Sequence, residues 1–300
     1  MFPDWLILAW VTVVGACVGS FLNVVVARLP AGESIVHPRS RCPHCKTQIA
    51  WYDNLPLLSF LILRARCRVC SATIAPRYPL VELLMALLSA ALFVRFGLSW
   101  QLLIWWPLVG ALLAITFLDI DHWWVPDVIT FPAMAWVIAG AFLPGGLTPL
   151  EAAIGLVPAG LLWLGGFLFE RVTGREGMGL GDVKLMCVIG MAVGVMDALS
   201  VLLLASIQGA VIGIAVTLSG GHKGVESDAQ SDAEPAVKPD DPGDTPAAPS
   251  DPDDDDWVPP PGAFPFGPFL VLATLELILL PEYFASLLTR LSGLLIGLLG

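Results

Sequence analysis

Charge is what this 300-residue sequence has least of. Asp, Glu, Lys and Arg together make up 14% of it, against roughly a quarter in an ordinary soluble domain. That scarcity excludes a soluble globular chain, and no nucleic-acid partner is expected of it. Several catalytic signatures are also missing: there is no Gly-x-Ser-x-Gly elbow, no His-Glu-x-x-His pair and no phosphate loop ending in Gly-Lys-Ser/Thr. Present in their place are 56% hydrophobic residues and a mean hydropathy of +0.79. The expected class is an all-α polytopic membrane protein with about eight transmembrane helices.

The formal net charge is -11, but it is unevenly placed. Residues 221–262 hold twelve Asp or Glu against Lys223 and Lys238, so the rest of the chain is nearly neutral. Nine prolines in that stretch and its lack of apolar residues read as a disordered insert or linker. Either it is an insert without a role in the reaction, or its Asp251 to Asp256 run attracts a basic segment of the substrate. The organisation expected is a first span (1–27), a cytoplasmic four-cysteine loop (28–79), a transmembrane core (80–220), the acidic insert (221–262) and C-terminal transmembrane helices (263–300).

The first apolar run, residues 5–27, is long enough to cross a bilayer, which takes about 20 apolar residues. Val14-Gly15-Ala16-Cys17 looks like a lipoprotein cleavage box, but no Lys or Arg precedes the run, whereas a signal peptide begins with a basic region. It reads as a retained span, with Gly19, Ser20 and Asn23 as small or polar packing positions. Cys17 and Cys187, in apolar spans, read as buried packing residues.

Residues 28–79 contain eight of the fifteen basic residues, and short basic loops stay in the cytoplasm. Cys42-Pro43-His44-Cys45 and Cys67-Arg68-Val69-Cys70 lie in this loop with 21 residues between the pairs. Two such pairs suit one tetrahedral four-thiolate Zn2+ site. Two disulfides are the other reading, disfavoured in a reducing compartment. Four protein ligands leave no open position, so the zinc is expected to be structural.

Counting spans from this basic loop gives the main inference. Two crossings, residues 80–96 and 100–118, return the chain to the cytoplasmic edge at Asp119. Two more, residues 128–142 and 150–169, return it there again at Gly177-Met178-Gly179-Leu180-Gly181-Asp182. Asp119 and Asp182, 63 positions apart in sequence, therefore share one membrane edge. Ionisable groups at membrane depth are functional candidates by default, and two carboxyls sharing a site hold one proton between them. Such a pair can activate water with one member and polarise a peptide carbonyl with the other. Gly179 and Gly181 permit close backbone approach around Asp182. Asp121, His122 and Asp127 lie in a short polar turn, where a positioning role is expected and metal ligation is not. Lys184 either stabilises a carboxylate or reaches lipid phosphates, the latter being favoured.

These residues resemble one family. Gly19-Ser20-Phe21-Leu22-Asn23, the paired cysteines, Trp51-Tyr52-Asp53-Asn54-Leu55-Pro56, Arg77-Tyr78-Pro79-Leu80-Val81-Glu82, the Asp119 to Asp127 turn and Gly179-Leu180-Gly181-Asp182-Val183-Lys184-Leu185 look like a type IV prepilin peptidase. The resemblance implies an aspartyl protease of the bacterial inner membrane, catalytic through Asp119 and Asp182, with Gly179, Gly181, Lys184, Asp121 and Asp127 in support. It implies prepilin or type II pseudopilin substrates, cut at the cytoplasmic face. It also implies S-adenosylmethionine-dependent N-methylation of the new terminus, because the Cys-rich loop marks the long members. The other class in view is a proton or cation carrier using paired intramembrane acids, which would need a continuous polar route through the spans. Oligomeric state is not legible in the sequence.

Overall fold

The computed structural model describes residues 3–174, 179–218 and 264–299. Gly177, Met178 and the acidic insert lie outside the described residues. Within them the fold is helical: α1 (Asp4–Arg28), a 3-10 turn (Trp51–Asn54), α2 (Leu58–Ile62), α3 (Arg77–Phe96), α4 (Trp100–His122), α5 (Asp127–Gly140), α6 (Pro149–Ile154), α7 (Val157–Thr173), α8 (Leu180–Val193), α9 (Val195–Leu218), α10 (Gly267–Leu279) and α11 (Pro281–Leu299). Two units are distinguished, residues 1–205 with 265–300 and residues 206–264. The described part of the second is the later half of α9.

Among the described residues five helices are long and apolar enough to cross a membrane: α1, α3, α4, the α6–α7 pair and α9. A sixth arises if α10 and the start of α11 count as one span, although the two are bent by 115°. The remaining spans expected from the sequence correspond to α5 and α8, each 14 residues long. The all-α polytopic architecture is therefore as the composition requires, with a mixture of full-length and short helices.

Small residues set the packing of α1 on α3. A Cβ at Gly19 would lie 2.7 Å from Glu82 Cα, and one at Gly15 would lie 2.9 Å from the Met85 carbonyl oxygen. Gly15 and Gly19 thus form a close backbone seam of the small-xxx-small kind. Cys17, two residues on from Gly15, is rotated about 200° away at roughly 100° per residue and is exposed rather than buried. Cys187 is only partly buried. Asn23, near the end of the same seam, donates its side-chain amide to the Tyr78 carbonyl at 2.9 Å. Ser89 links α3 to α4 by accepting from Trp106 Nε1 at 2.7 Å while donating to Met85 O.

Turn chemistry ends the helices where the chain must reverse. α3 stops at Gly97 (φ +59) and α7 at Gly174 (φ +67). α4 stops at Trp123, a non-glycine residue in the left-handed region, whose N–H bonds back to Asp119 O at 3.0 Å. The main core gathers α4, α5, α8 and α10 around Leu112, Ile115, Leu185, Met186, Ile189 and Leu270, all almost fully buried.

Candidate active site

Four helix ends meet at one edge of this core. α4 arrives with Asp119, Asp121 and His122 in its last turn, and α5, α8 and α10 all begin there. Asp119 is 5% exposed, on a helix whose neighbouring Leu118 is fully buried. Gly267, at the start of α10, packs against the Asp119 carboxyl group: a Cβ there would stand 3.2 Å from Asp119 Cγ. The Oδ2 atom of that group is buried and has no hydrogen-bond partner among the described residues.

Asp182 stands in the first turn of α8, half-buried, and close enough to Asp119 for their charges to interact. Gly181 makes that approach possible. A Cβ there would stand 3.0 Å from Val125 Cγ2, in the segment joining α4 to α5. Gly179 plays a different part: it is the N-cap of α8, and its position has no neighbour nearer than the Gly181 nitrogen at 4.0 Å.

The flanking polar residues are engaged with one another. Asp121 forms an ion pair with Arg77 of α3, and the Arg77 guanidinium also lies over the Phe117 ring at 5.1 Å. Asp127, in the first turn of α5, pairs with Lys184 of α8 at 2.5 Å. Lys184 therefore bridges two helices at the site, where the sequence favoured a reach to lipid phosphates. Both pairs are partly exposed, where ion pairs add about 0–1 kcal/mol. Their role here is geometric: one ties α3 to α4, the other α5 to α8.

Sequence reasoning missed Gly267 and the partner of Asp121. The Gly267-Pro268 dipeptide signals a helix start, but nothing local says that the helix points at residue 119.

The four cysteines form a separate centre in the loop between α1 and α3. The Sγ atoms of Cys42, Cys45, Cys67 and Cys70 all lie within 4.8 Å of one another. Cys42 and Cys70 are 3.8 Å apart and Cys45 and Cys67 4.0 Å. A tetrahedral metal with bonds of about 2.3 Å to sulfur puts its ligands about 3.8 Å apart, whereas a disulfide requires about 2.05 Å. The spacing fits a metal ion.

The two knuckles repeat each other with an offset of 25 residues, pairing Arg41 with Gln48 and Arg66 with Thr73. In each, the first cysteine N–H reaches a carbonyl five residues on, Thr47 O at 3.0 Å and Ala72 O at 2.8 Å. Left-handed Lys46 (φ +57) and Ser71 (φ +58) close the turns.

The Thr47 hydroxyl and backbone N–H hold the Cys45 thiol down to about 6. The N–H groups of Cys70 and Val69 lower Cys67 likewise. At Cys70 the Ala72 N–H favours the thiolate, but burial and the neighbouring sulfurs outweigh it and push the thiol up to about 11. A cation relieves that conflict.

Two contacts fasten this module to its surroundings. Arg68, inside the second knuckle, pairs with Asp53 through two hydrogen bonds and holds its carboxyl below the usual carboxylate range. Leu57 donates its N–H to Glu82 of α3 at 2.8 Å.

Known proteins match this arrangement along most of the chain. Residues 13–96 match the family model described as the bacterial peptidase A24 N-terminal domain. Residues 106–214 match that of the type IV leader peptidase family. A prepilin leader peptidase/N-methyltransferase of Myxococcus xanthus (strain DK1622) is 40% identical over 323 aligned residues, spanning 95% of this chain and 93% of that protein. Proteins of the same name from Aeromonas hydrophila and Stutzerimonas stutzeri are 38% and 40% identical. Those alignments cover 73% and 67% of this chain and 84% and 78% of the relatives. No solved structure matches. With two acids meeting at a shared helix edge, a four-cysteine module ahead of them, and matches that run through both, the chain belongs to the type IV leader peptidase family.

Proposed function

We propose that this protein is an aspartyl endopeptidase that removes the leader peptide of type IV prepilins or type II pseudopilins and then N-methylates the new terminus. The observation that carries the catalytic assignment is the pairing of Asp119, buried at the end of α4, with Asp182 in the first turn of α8. The supporting residues are Gly181, which lets α8 approach, and the Asp121 and Asp127–Lys184 contacts that fix the helix ends; Gly179 precedes α8 at an open position.

The cleavage follows from two carboxyl groups sharing one proton. The ionised member takes a proton from water as the water oxygen adds to the scissile carbonyl carbon. The protonated member gives its proton to the carbonyl oxygen, leaving a neutral tetrahedral gem-diol. The acid formed in the first step then protonates the peptide nitrogen, and the C–N bond breaks. One gem-diol hydroxyl returns its proton to the other carboxylate, so the pair ends as it began. Products are the leader carboxyl group and a free amine at the start of the pilin helix. Neither a metal nor a covalent intermediate takes part.

The zinc site supplies no chemistry to this sequence. Zn2+ would be held by Cys42, Cys45, Cys67 and Cys70, and with four protein ligands it would join the two knuckles into one module without taking part in cleavage. For methylation, S-adenosylmethionine supplies the methyl group. Among the described residues there is no strand, and so no glycine-rich strand-to-helix turn of the kind that holds nucleotides. No residue is assigned to that cofactor.

The reaction would take place at the cytoplasmic face of the inner membrane, on the side of the basic four-cysteine loop. A carrier function is not favoured. Beyond the dyad the bundle interior is closed by apolar side chains, Leu108, Leu112, Ile115, Leu185 and Ile189. The test is incubation of the purified protein in lipid with a prepilin, reading the product N-terminus by mass spectrometry with and without S-adenosylmethionine. An intact prepilin would overturn the proposal.

A further inference from the structure

In the module between α1 and α3, the short helix α2 is inside out. Ser59 is buried, its hydroxyl donating to Tyr52 O at 3.1 Å and accepting from the Leu55 N–H at 3.0 Å. Leu58, Leu61 and Ile62 stand at i, i+3 and i+4, on one face of the helix. They are 57%, 70% and 68% exposed. A polar side chain inside and three aliphatic ones outside is the reverse of what water selects, and such a face marks contact with a partner or a membrane.

The place of α2 in the fold decides between them. Its start is held against α3 by the Leu57 N–H, which donates to Glu82 Oε2 at 2.8 Å. Leu57 sits at the centre of a γ-turn, with φ +61 and the Leu58 N–H bonded to Pro56 O at 2.6 Å. This strained turn fixes the direction in which α2 leaves. Glu82 is the sixth residue of α3, about 8 Å along its axis at 1.5 Å per residue. Gly19 of α1 packs on the same residue, nine positions before α1 ends at Arg28. Thus α2 begins where two membrane-spanning helices are already paired. At that level Leu80 and Leu83, on either side of Glu82, are exposed as well. Arg64 and Arg66 follow α2, both exposed. Neither forms an ion pair among the described residues, unlike Arg68, which is held by Asp53.

We infer that the four-cysteine module rests on the membrane surface through α2: Leu58, Leu61 and Ile62 enter the acyl boundary beside α3, and Arg64 and Arg66 meet the phosphates of anionic lipids. Charge and position agree on this partner. Juxtamembrane basic residues are drawn to anionic headgroups, and an apolar helix face beside them settles at the boundary between headgroups and acyl chains. The lipid-facing surface of α3 at Leu80 and Leu83 continues onto α2. This surface is independent of Asp119 and Asp182 and of the reaction they perform.

The test uses the full-length protein in nanodiscs of phosphatidylcholine, alone or with phosphatidylglycerol added. A photoreactive benzoylphenylalanine replaces Leu61, and its adducts are read by mass spectrometry after irradiation. Lipid adducts at residue 61 are expected in both discs, several-fold more of them with phosphatidylglycerol. That excess should disappear when Arg64→Gln and Arg66→Gln are added. The absence of lipid adducts from both discs would overturn the inference. So would adducts to protein in place of lipid, whether to a co-reconstituted prepilin or to a second copy of this chain. Equal yields in the two discs would remove the contact with anionic phosphates. A melting temperature and metal content matching the parent show that the module is folded. If the residue 61 variant fails that check, the same probe at Ile62, on the same face, decides.

Discussion

Gly181 rests directly on Val125, with no space between them for a methyl group: a Cβ at 181 would stand 3.0 Å from Val125 Cγ2 and 3.1 Å from Val125 Cβ. Val125 is itself buried and leads into Pro126 and Asp127, so it has little freedom to yield. Overpacking of this kind costs about 1–3 kcal/mol, and here it also displaces the adjoining Asp182. Gly181→Ala is expected to lower prepilin cleavage about tenfold or more. Gly179→Ala, at an open position with an ordinary extended backbone, is expected to stay within about twofold of the parent. Equal loss in both would mean that the glycines act through chain flexibility and not through this contact.

The dyad makes a sharper demand. Asp119→Asn and Asp182→Asn each keep the shape of the side chain and remove its ability to exchange a proton, a contribution of about 10²–10⁴-fold in general acid–base catalysis. Both should abolish measurable cleavage while the melting temperature of the purified protein in detergent is kept or raised. Substantial activity in either variant would end the assignment.

Gly155 and Gly190 provide a test of the fold apart from chemistry. A Cβ on Gly155 would overlap the Gly190 carbonyl, 2.6 Å from its carbon, and one on Gly190 would lie 3.0 Å from the Gly155 carbonyl carbon. Backbone cannot swing aside as a side chain can. Gly155→Ala and Gly190→Ala should each destabilise the protein by about 2 kcal/mol or more, seen as a lower unfolding temperature. An unchanged transition would contradict this crossing of α8 by the α6–α7 junction.

The cysteine module should bind one zinc ion per chain, measured by elemental analysis of the purified protein. Changing Cys42 and Cys67 to Ser takes one sulfur from each knuckle and should remove the metal. Because the module is fastened by Arg68–Asp53 and Leu57–Glu82, metal loss should also expose residues 40–75 to protease. Retention of zinc in the double variant would refute the four-thiolate site.

Much of this was legible in the sequence for a simple reason. Apolar run length and basic-loop position are one-dimensional properties, and counting crossings was enough to put Asp119 and Asp182 at one edge. The cysteine spacing was equally local. What could not be read were relationships set by packing between distant segments. Lys184 turned to Asp127 because α5 and α8 begin side by side. Arg77 met Asp121 because the seam through Gly15, Gly19 and Asn23 fixes how α3 stands against its neighbours. Gly267 follows the acidic insert in sequence, and no periodicity in α10 indicates which carboxyl group it will pack against. Cys17 faced outward because the glycine seam claims the opposite side of α1.

The three helices that begin beside the acids, α5, α8 and α10, have 14, 14 and 13 residues. At 1.5 Å per residue each rises about 20 Å, some 10 Å less than the hydrocarbon thickness of a typical bilayer. The neighbouring α4 has 23 residues. Of the three short helices, α8 and α10 carry core residues such as Leu185, Ile189 and Leu270, buried inside the bundle. Much of the shortfall in length therefore falls within the protein, where packing on α4 surrounds the helix starts, and the acids stand below the depth that helices of full membrane length would reach.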